Sequence, residues 1–343
     1  AFRLAALNMP AMQIVMYGTI LSIIWFGGRM IQTGGMQVGE LTGFLSYVMQ
    51  ILNSLSMISN VFLTLTRSMA SGSRILEIID EEVDITDREA EDYDVKCGEI
   101  EFDHVYFRYR KDAPEDVLTD ISLTISAGST FGIIGQTGSA KSTLIQLIPR
   151  LYDATRGEVR IDGIPVRKYP MEHLRDAIAV VLQKNTLFSG TLLENLRWGK
   201  EDATMEEIKK ACRIACADEF IDRLADGYET EMGQGGVNVS GGQKQRICIA
   251  RAILKQPKVL ILDDSTSAVD TATEARIRTM LKEELPEMTK IIIAQRISSV
   301  RHADQILILD DGRVSDIGTH EELLARNKIY QEIYESQKEG AEL

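Results

Sequence analysis

Met9 to Gly28 contains no charged residue, and neither does the longer stretch Leu41 to Thr66. About 20 such positions make a helix of roughly 30 Å, the thickness of a bilayer's hydrocarbon core. Between them lies a short connection, Arg29 to Glu40, holding Gly34, Gly35 and Gly39. The pattern predicts a helical hairpin in a membrane; a hairpin buried in a soluble core is the competing reading. Ser73 to Asp80 continues the second helix. Glu81 to Lys96 is acidic, lacks apolar periodicity and reads as a linker.

From Gly98 the period changes. Ile100, Phe102, Val105 and Phe107 alternate with polar residues, the pattern of a half-buried strand. Phe131 to Ile134, Ala177 to Leu182, Val259 to Leu262 and Lys290 to Gln295 read as buried strands. Gly157 to Gly163 predicts a hairpin, as does Gln305 to Leu309 with Arg313 to Asp316. Helices are expected over Leu144–Leu151, Glu206–Ala225, Lys244–Leu254 and Glu321–Tyr334. The last places Leu323, Leu324, Tyr330, Ile333 and Tyr334 on one side. The fold class expected is an α-helical membrane part followed by an α/β domain.

Composition sharpens this. With 343 residues there is room for about two domains. A net charge of −13 argues against a nucleic-acid partner, whose phosphates want a basic surface. Cys97, Cys212, Cys216 and Cys248 read as reduced structural cysteines of a cytosolic portion. The second apolar stretch is polar for a membrane helix, with Ser46, Gln50, Asn53, Ser54, Ser56, Ser59, Asn60, Thr64 and Thr66. Such groups face protein or water, so they line a passage or join helices by hydrogen bonds. Arg3, Arg67 and Arg74 flank the pair, against Arg29 in the connection, which predicts a cytosolic C-terminus. Two helices cannot enclose an aqueous path, so an upstream part of the membrane domain is expected.

Three stretches carry chemistry. Gly135-Gln136-Thr137-Gly138-Ser139-Ala140-Lys141-Ser142-Thr143 follows a predicted strand and opens a helix, the setting that makes G-x-x-x-x-G-K-[ST] a phosphate loop. Its backbone N–H groups and helix N-terminus would take phosphate, Lys141 would reach the β- and γ-phosphates, and Ser142 would hold Mg²⁺. Ala140 stands where the pattern wants a second glycine. Val239-Ser240-Gly241-Gly242-Gln243 also runs into a helix and is a second anion-binding candidate. Asp263 and Asp264 end a buried strand, where acidic residues suit magnesium and water chemistry. Tyr109 could stack on an adenine ring or simply pack on its strand neighbours.

The phosphate loop, then Gln183, VSGGQ, LILDD and SAVD, follow in an order that resembles the ATP-binding-cassette (ABC) family over about residues 99–337. The preceding hairpin resembles the last two membrane helices of ABC exporters. The resemblance implies a partial membrane domain at 1–80, a linker at 81–98 and a phosphate-loop nucleotide-binding domain at 99–337. That domain would comprise a core of about 99–183 and 258–337 with an inserted helical subdomain at about 184–257. It implies ATP and Mg²⁺ as ligands, a membrane location and a head-to-tail pair. Each ATP would lie between one chain's phosphate loop and the other chain's signature. By the same resemblance Tyr109 stacks on adenine, and Gln183 touches the Mg²⁺ that Ser142 and Asp263 hold. Ser240, Gly241, Gly242 and Gln243 meet the partner's γ-phosphate, and Ser267 to Asp270 forms a crossing loop at the interface.

The departures are as telling. Where the family has a glutamate that polarises the attacking water, this chain has Asp264. Where it has a histidine on the γ-phosphate, this chain has Gln295. A stem one CH₂ shorter sets the carboxylate back by roughly 1 Å or more, which can cost ~100-fold in rate. Glutamine donates a hydrogen bond but never becomes cationic. Gln234 stands where these exporters usually carry a glutamate. With the signature nearly intact, the chain resembles the degenerate half of a heterodimeric multidrug-type exporter: slow at its own loop, able to complete its partner's. Homodimeric export with tolerated variants, a regulatory subunit gating a channel and a soluble non-transport ATPase are the rival readings. A lipophilic small molecule, a lipid or a peptide is the substrate class the resemblance implies.

Overall fold

A computed structural model describes residues 2–264 and 268–339. The chain divides into two compact units between Asp84 and Ile85.

The first unit is two helices, α1 (Phe2–Gln32) and α2 (Val38–Ile79). Both are long and apolar enough to cross a bilayer. At 42 residues, α2 is about 63 Å long, twice a hydrocarbon core, so it runs well past one as Ser73 to Asp80 predicted. Its residues bury nothing, and Phe44, Met57 and Phe62 are exposed, as are Ile14 and Trp25 of α1. A water-facing helix cannot leave that much apolar surface bare; a lipid-facing one can. The two helices touch closely at Gly27, where a Cβ would lie 2.3 Å from Leu41 Cδ1.

The second unit carries β1 (Ile100–Phe107), β2 (Leu118–Ile125), β3 (Thr130–Ile134), α3 (Lys141–Gln146), β4 (Arg156–Ile161) and β5 (Ile164–Pro165). Then come α4 (Met171–Asp176), β6 (Ile178–Val181), β7 (Gly190–Thr191), α5 (Leu192–Arg197), α6 (Met205–Ile214), α7 (Asp218–Ile221) and β8 (Glu231–Met232). The chain continues with α8 (Gly241–Leu254), β9 (Val259–Asp263), α9 (Thr271–Glu284), β10 (Thr289–Ile293) and α10 (Ile297–Val300). It closes with β11 (Gln305–Asp310), β12 (Arg313–Gly318), α11 (His320–Arg326) and α12 (Lys328–Glu339).

The central sheet has the order β12-β11-β3-β10-β9-β6. Its strands run parallel except β12, which pairs antiparallel with β11. Every residue of β9 and β10 is buried, as central strands covered on both faces should be. A second, antiparallel sheet, β2-β1-β4-β5, packs its buried face into a core shared with β3 and α3. In β1 the buried positions step by two, then by three from Phe102 to Val105. A register shift there, with His104 at φ +48°, absorbs the extra residue.

Three predicted helices are shortened or interrupted. Leu144–Leu151 stops at Gln146 and continues as turns, with Arg150 at φ +51°. Glu206–Ala225 is two helices, because Cys216 sits at φ +53° and turns the chain between them. Cys212 and Cys216 are buried but do not share a helix. Glu321–Tyr334 breaks at Asn327, whose Oδ1 accepts the Tyr330 N–H at 3.0 Å and so starts α12 afresh. Residues after Ile85 in the stretch read as linker are tied to the second unit. The Asp162 carboxylate accepts from the N–H groups of Lys96, Cys97, Gly98 and Glu99 at 2.7–3.0 Å.

Candidate functional site

The strand that begins the site is β3, and residues 135–140 turn from it into α3. At Gly135 a Cβ would lie 2.1 Å from the Leu309 carbonyl oxygen and 2.7 Å from Ser139 Oγ, so only glycine lets the loop turn here. Ala140 holds φ +69° and ψ 23°, the left-handed conformation its pattern reserves for glycine. Gln136, Thr137 and Gly138 form the exposed crest, and Ser139 is buried beneath it. Lys141 Nζ donates to the carbonyls of Gly135 and Gln136 at 2.8 and 2.7 Å and to Ser139 Oγ at 3.2 Å. Burial pushes its pKa down, and the Asp263 and Asp264 charges oppose that fall.

Three further elements bring their ends to this loop. Ser142 Oγ donates to Asp263 Oδ2 at 3.0 Å, joining α3 to the end of β9. Asp264 follows in a left-handed conformation, φ +46°. Its Oδ2 accepts from Gln183 Nε2 beyond β6 and from Gln295 Nε2 beyond β10, both at 3.0 Å. The Asp264 N–H is tied to the Ile293 carbonyl at 2.9 Å. Burial raises the pKa of both aspartates; Ser142 opposes the rise at Asp263, and Gln183 opposes it at Asp264. Tyr109, beyond β1, shares a 2.9 Å hydrogen bond with Thr143 Oγ1 while its ring meets Phe107 and Tyr152 edge-on. Half of it is exposed beside the start of α3.

These groups fit a magnesium-bound triphosphate. A hydroxyl and a carboxylate oxygen in contact offer the hard oxygen pair Mg²⁺ takes from a protein that leaves its remaining positions to phosphate and water. Lys141 supplies the cation, and the loop cannot hold a side chain at Gly135. Gln183 stands one hydrogen bond from Asp264 and not from Asp263.

The histidines lie elsewhere. His104 hydrogen-bonds Asp120, His173 faces Asp94, His302 accepts from Arg301, and His320 meets Tyr330. None of these partners belongs to the loop.

The signature stretch forms a helix start, three residues earlier than predicted. Ser240 is the N-cap of α8: its Oγ accepts the Gln243 N–H at 3.3 Å, and Gln243 Oε1 accepts the Ser240 N–H at 2.8 Å. Among the described residues, these side chains bond each other and not the phosphate loop. A Cβ at Gly242 would lie 2.7 Å from the Ala268 carbonyl oxygen, and one at Gly241 would lie 3.4 Å from Ala268 Cβ. Ser267, the first residue of the expected crossing loop, lies outside the described residues. Val269 is buried, and Asp270 caps α9 through the Thr273 N–H at 2.9 Å. Gln234 is exposed in a tight turn.

Two side chains at the site have no motif to announce them. Gln245, 4% exposed, accepts the Ala268 N–H at 3.1 Å. Gln337 in α12 donates to the Gln295 carbonyl at 2.7 Å and accepts the Ile297 N–H at 2.9 Å, holding the backbone that presents Gln295.

A parallel sheet with a phosphate loop at its strand ends defines a nucleotide-binding class of α/β domain, here preceded in the chain by two apolar helices. Residues 118–267 match the family described as ABC transporter. The chain is 44% identical over 344 residues to YfiB of Bacillus subtilis, an uncharacterized ABC transporter ATP-binding protein, covering all of this chain and 59% of that one. It is 42% identical over 315 residues to YgaD of the same organism, provisionally named a multidrug export ATP-binding/permease protein, covering 92% of this chain and 54% of that one. A bacterial Atm1-family ABC exporter solved with ATP bound matches at TM-score 0.75 and 32% identity, over 97% of this chain and 59% of that one. The chain carries an ABC nucleotide-binding domain and matches the exporter fold. It spans about six-tenths of the length of YfiB.

Proposed function

We propose that this chain is one half of an ATP-driven membrane exporter, binding Mg-ATP at a loop that hydrolyses poorly and lending its signature helix to a different partner subunit. The observation that carries this is at Asp264. Its oxygen is shared by the amides of Gln183 and Gln295, at 3.0 Å each. A carboxylate on this short stem, held by two neutral donors, is a poor base for the attacking water. Among the described residues, no imidazole stands beside it to meet the γ-phosphate.

Binding and hydrolysis separate here. Lys141, Ser142 and Asp263 keep the arrangement that holds Mg-ATP, Tyr109 stands where a base could stack, and the helix start at Ser240 to Gln243 is well formed. ATP at this loop would act as a lasting clamp between subunits, while turnover occurs at the partner's loop beneath this chain's Ser240. The similarity to a multidrug export protein supports a lipophilic small molecule, lipid or peptide as cargo in the cell membrane.

ATPase measurement tests the proposal. The complex with a subunit carrying Glu and His at these two positions turns over on the order of 1–10 per second. The chain alone is slower by about 100-fold. Asp264→Glu combined with Gln295→His raises turnover at this chain's own loop. Full-speed hydrolysis by the unaltered chain alone would refute the reading.

A further inference from the structure

On the second unit, away from the phosphate loop, α9 forms one wall of a cavity of about 260 Å³, with β10, Thr130 and the turn after α10 closing the rest. Lys290 of β10 lines it and is only 3% exposed. Lysine is among the residues least often buried, and here the stem is covered while the ammonium keeps access to the cavity. The other buried charged side chains described here are all engaged. Arg150 pairs with Asp153, Asp263 accepts from Ser142, and Glu274 faces Arg278. The Lys290 ammonium makes no hydrogen bond or ion pair among the described residues.

The surroundings are cationic in a chain of net charge −13. Lys282, exposed and also unpaired among the described residues, sits on the same wall one helical turn from Arg278. Arg278 donates to the Ser298 and Ser299 carbonyls at 3.0 and 3.3 Å. Arg301 donates its Nε–H to His302 Nε2 at 3.1 Å. Of the acids nearby, Glu274 faces Arg278 at 3.5 Å, and Asp304 accepts the Thr130 N–H through Oδ2 at 2.8 Å while its charge also acts on Lys290. Neither ammonium has a hydrogen-bonded or ion-paired partner among the described residues, and the buried Ser299 lines the same cavity.

We propose that this cavity binds a phosphate group, as free phosphate or a small phosphomonoester, between Lys290 and Lys282. A tetrahedral dianion matches two point-charge ammoniums with hydroxyl and imidazole donors around them, and 260 Å³ holds it with a small substituent. Electrostatics agree. Burial pushes the Lys290 pKa down, Asp304 opposes, and Lys282 adds to the fall. Burial, and then the Arg301 and Arg278 charges, likewise lower the His302 pKa. A bound dianion relieves all of these.

The test uses the detergent-solubilised chain carrying Lys141→Ala, so that the phosphate loop does not take up the probe. Inorganic phosphate is titrated against chloride at matched ionic strength, with calorimetry and thermal unfolding as readouts. Saturable binding with a rising unfolding midpoint is expected, weakened about tenfold by Lys290→Met and several-fold by Lys282→Gln. Glycerol 3-phosphate is titrated in parallel, and the tighter of the two identifies the source. No saturable binding, or equal binding in Lys290→Met, overturns the proposal and leaves the ammonium to water alone. If Lys290→Met does not fold, the exposed Lys282→Gln decides, and unchanged affinity there is equally fatal. None of these readouts depends on ATP turnover.

Discussion

Ala140 holds a methyl group at φ +69°, where an L-residue pays about 1–2 kcal/mol relative to its ordinary conformations. Glycine there removes that strain but adds about 0.5–1 kcal/mol of chain entropy to be lost on folding. The first figure is the larger, so Ala140→Gly gains up to about 1.5 kcal/mol. Its thermal midpoint rises by as much as about 3–6 °C, and a fall would mean that the methyl's packing outweighs its strain. The position was legible from its motif; the torsion was not, because a spacing pattern says which residue is unusual and not what the backbone does about it. Asp264 and Gln295 were each readable as departures. That they meet on one oxygen, with Gln183, follows only from β6, β9 and β10 being spatial neighbours far apart in the chain. Gln337 was invisible for the same reason: its partner lies 42 residues earlier.

Helix starts in the second unit repeat one device. Thr191–Glu194, Thr204–Glu207, Ser240–Gln243 and Thr319–Glu322 each close a reciprocal cap. The second has a pH signature. Glu207 accepts from Lys200 Nζ at 2.7 Å and from the Thr204 N–H at 2.8 Å, which, with the Thr204 hydroxyl, holds its carboxyl down at about 2 against an ordinary 4.5. The folded-state value is depressed, so the ionised form favours the fold. That contribution is complete above about pH 4.5 and disappears as pH falls toward about 2. Chemical denaturation should therefore separate the native chain from Glu207→Gln at pH 6 and bring the two together near pH 2. A gap that stays constant with pH would assign the effect to shape and not charge. Strands were easier to read than helix ends. Short apolar runs, Val259 to Leu262 and Ile291 to Ile293, mark β9 and β10, whereas the breaks at Cys216 and Asn327 come from single residues inside otherwise helical periods.

At the scale of the whole molecule, the membrane question turns on α2. Asn53, Ser56 and Asn60 line grooves on it, one of them shared with Gln13 and Met16 of α1, while Phe62 is exposed on the same helix. In the assembly proposed above, with exposed Cys97 replaced by serine, a water-soluble maleimide should label Asn53→Cys and Asn60→Cys and spare Phe62→Cys. Protection at all three would make these polar groups ties between helices instead of a lining. The second unit holds a coupling of its own. The tip of α8 and the loop at Ala268 cannot be moved apart, because Gly242 seats against the Ala268 carbonyl and Gln245 grips its N–H. They form a single tooth. In the pairing proposed above, a nucleotide pressing on Ser240 would drag the loop at Ala268 with it, so news of one ATP would reach the other without any hinge in between.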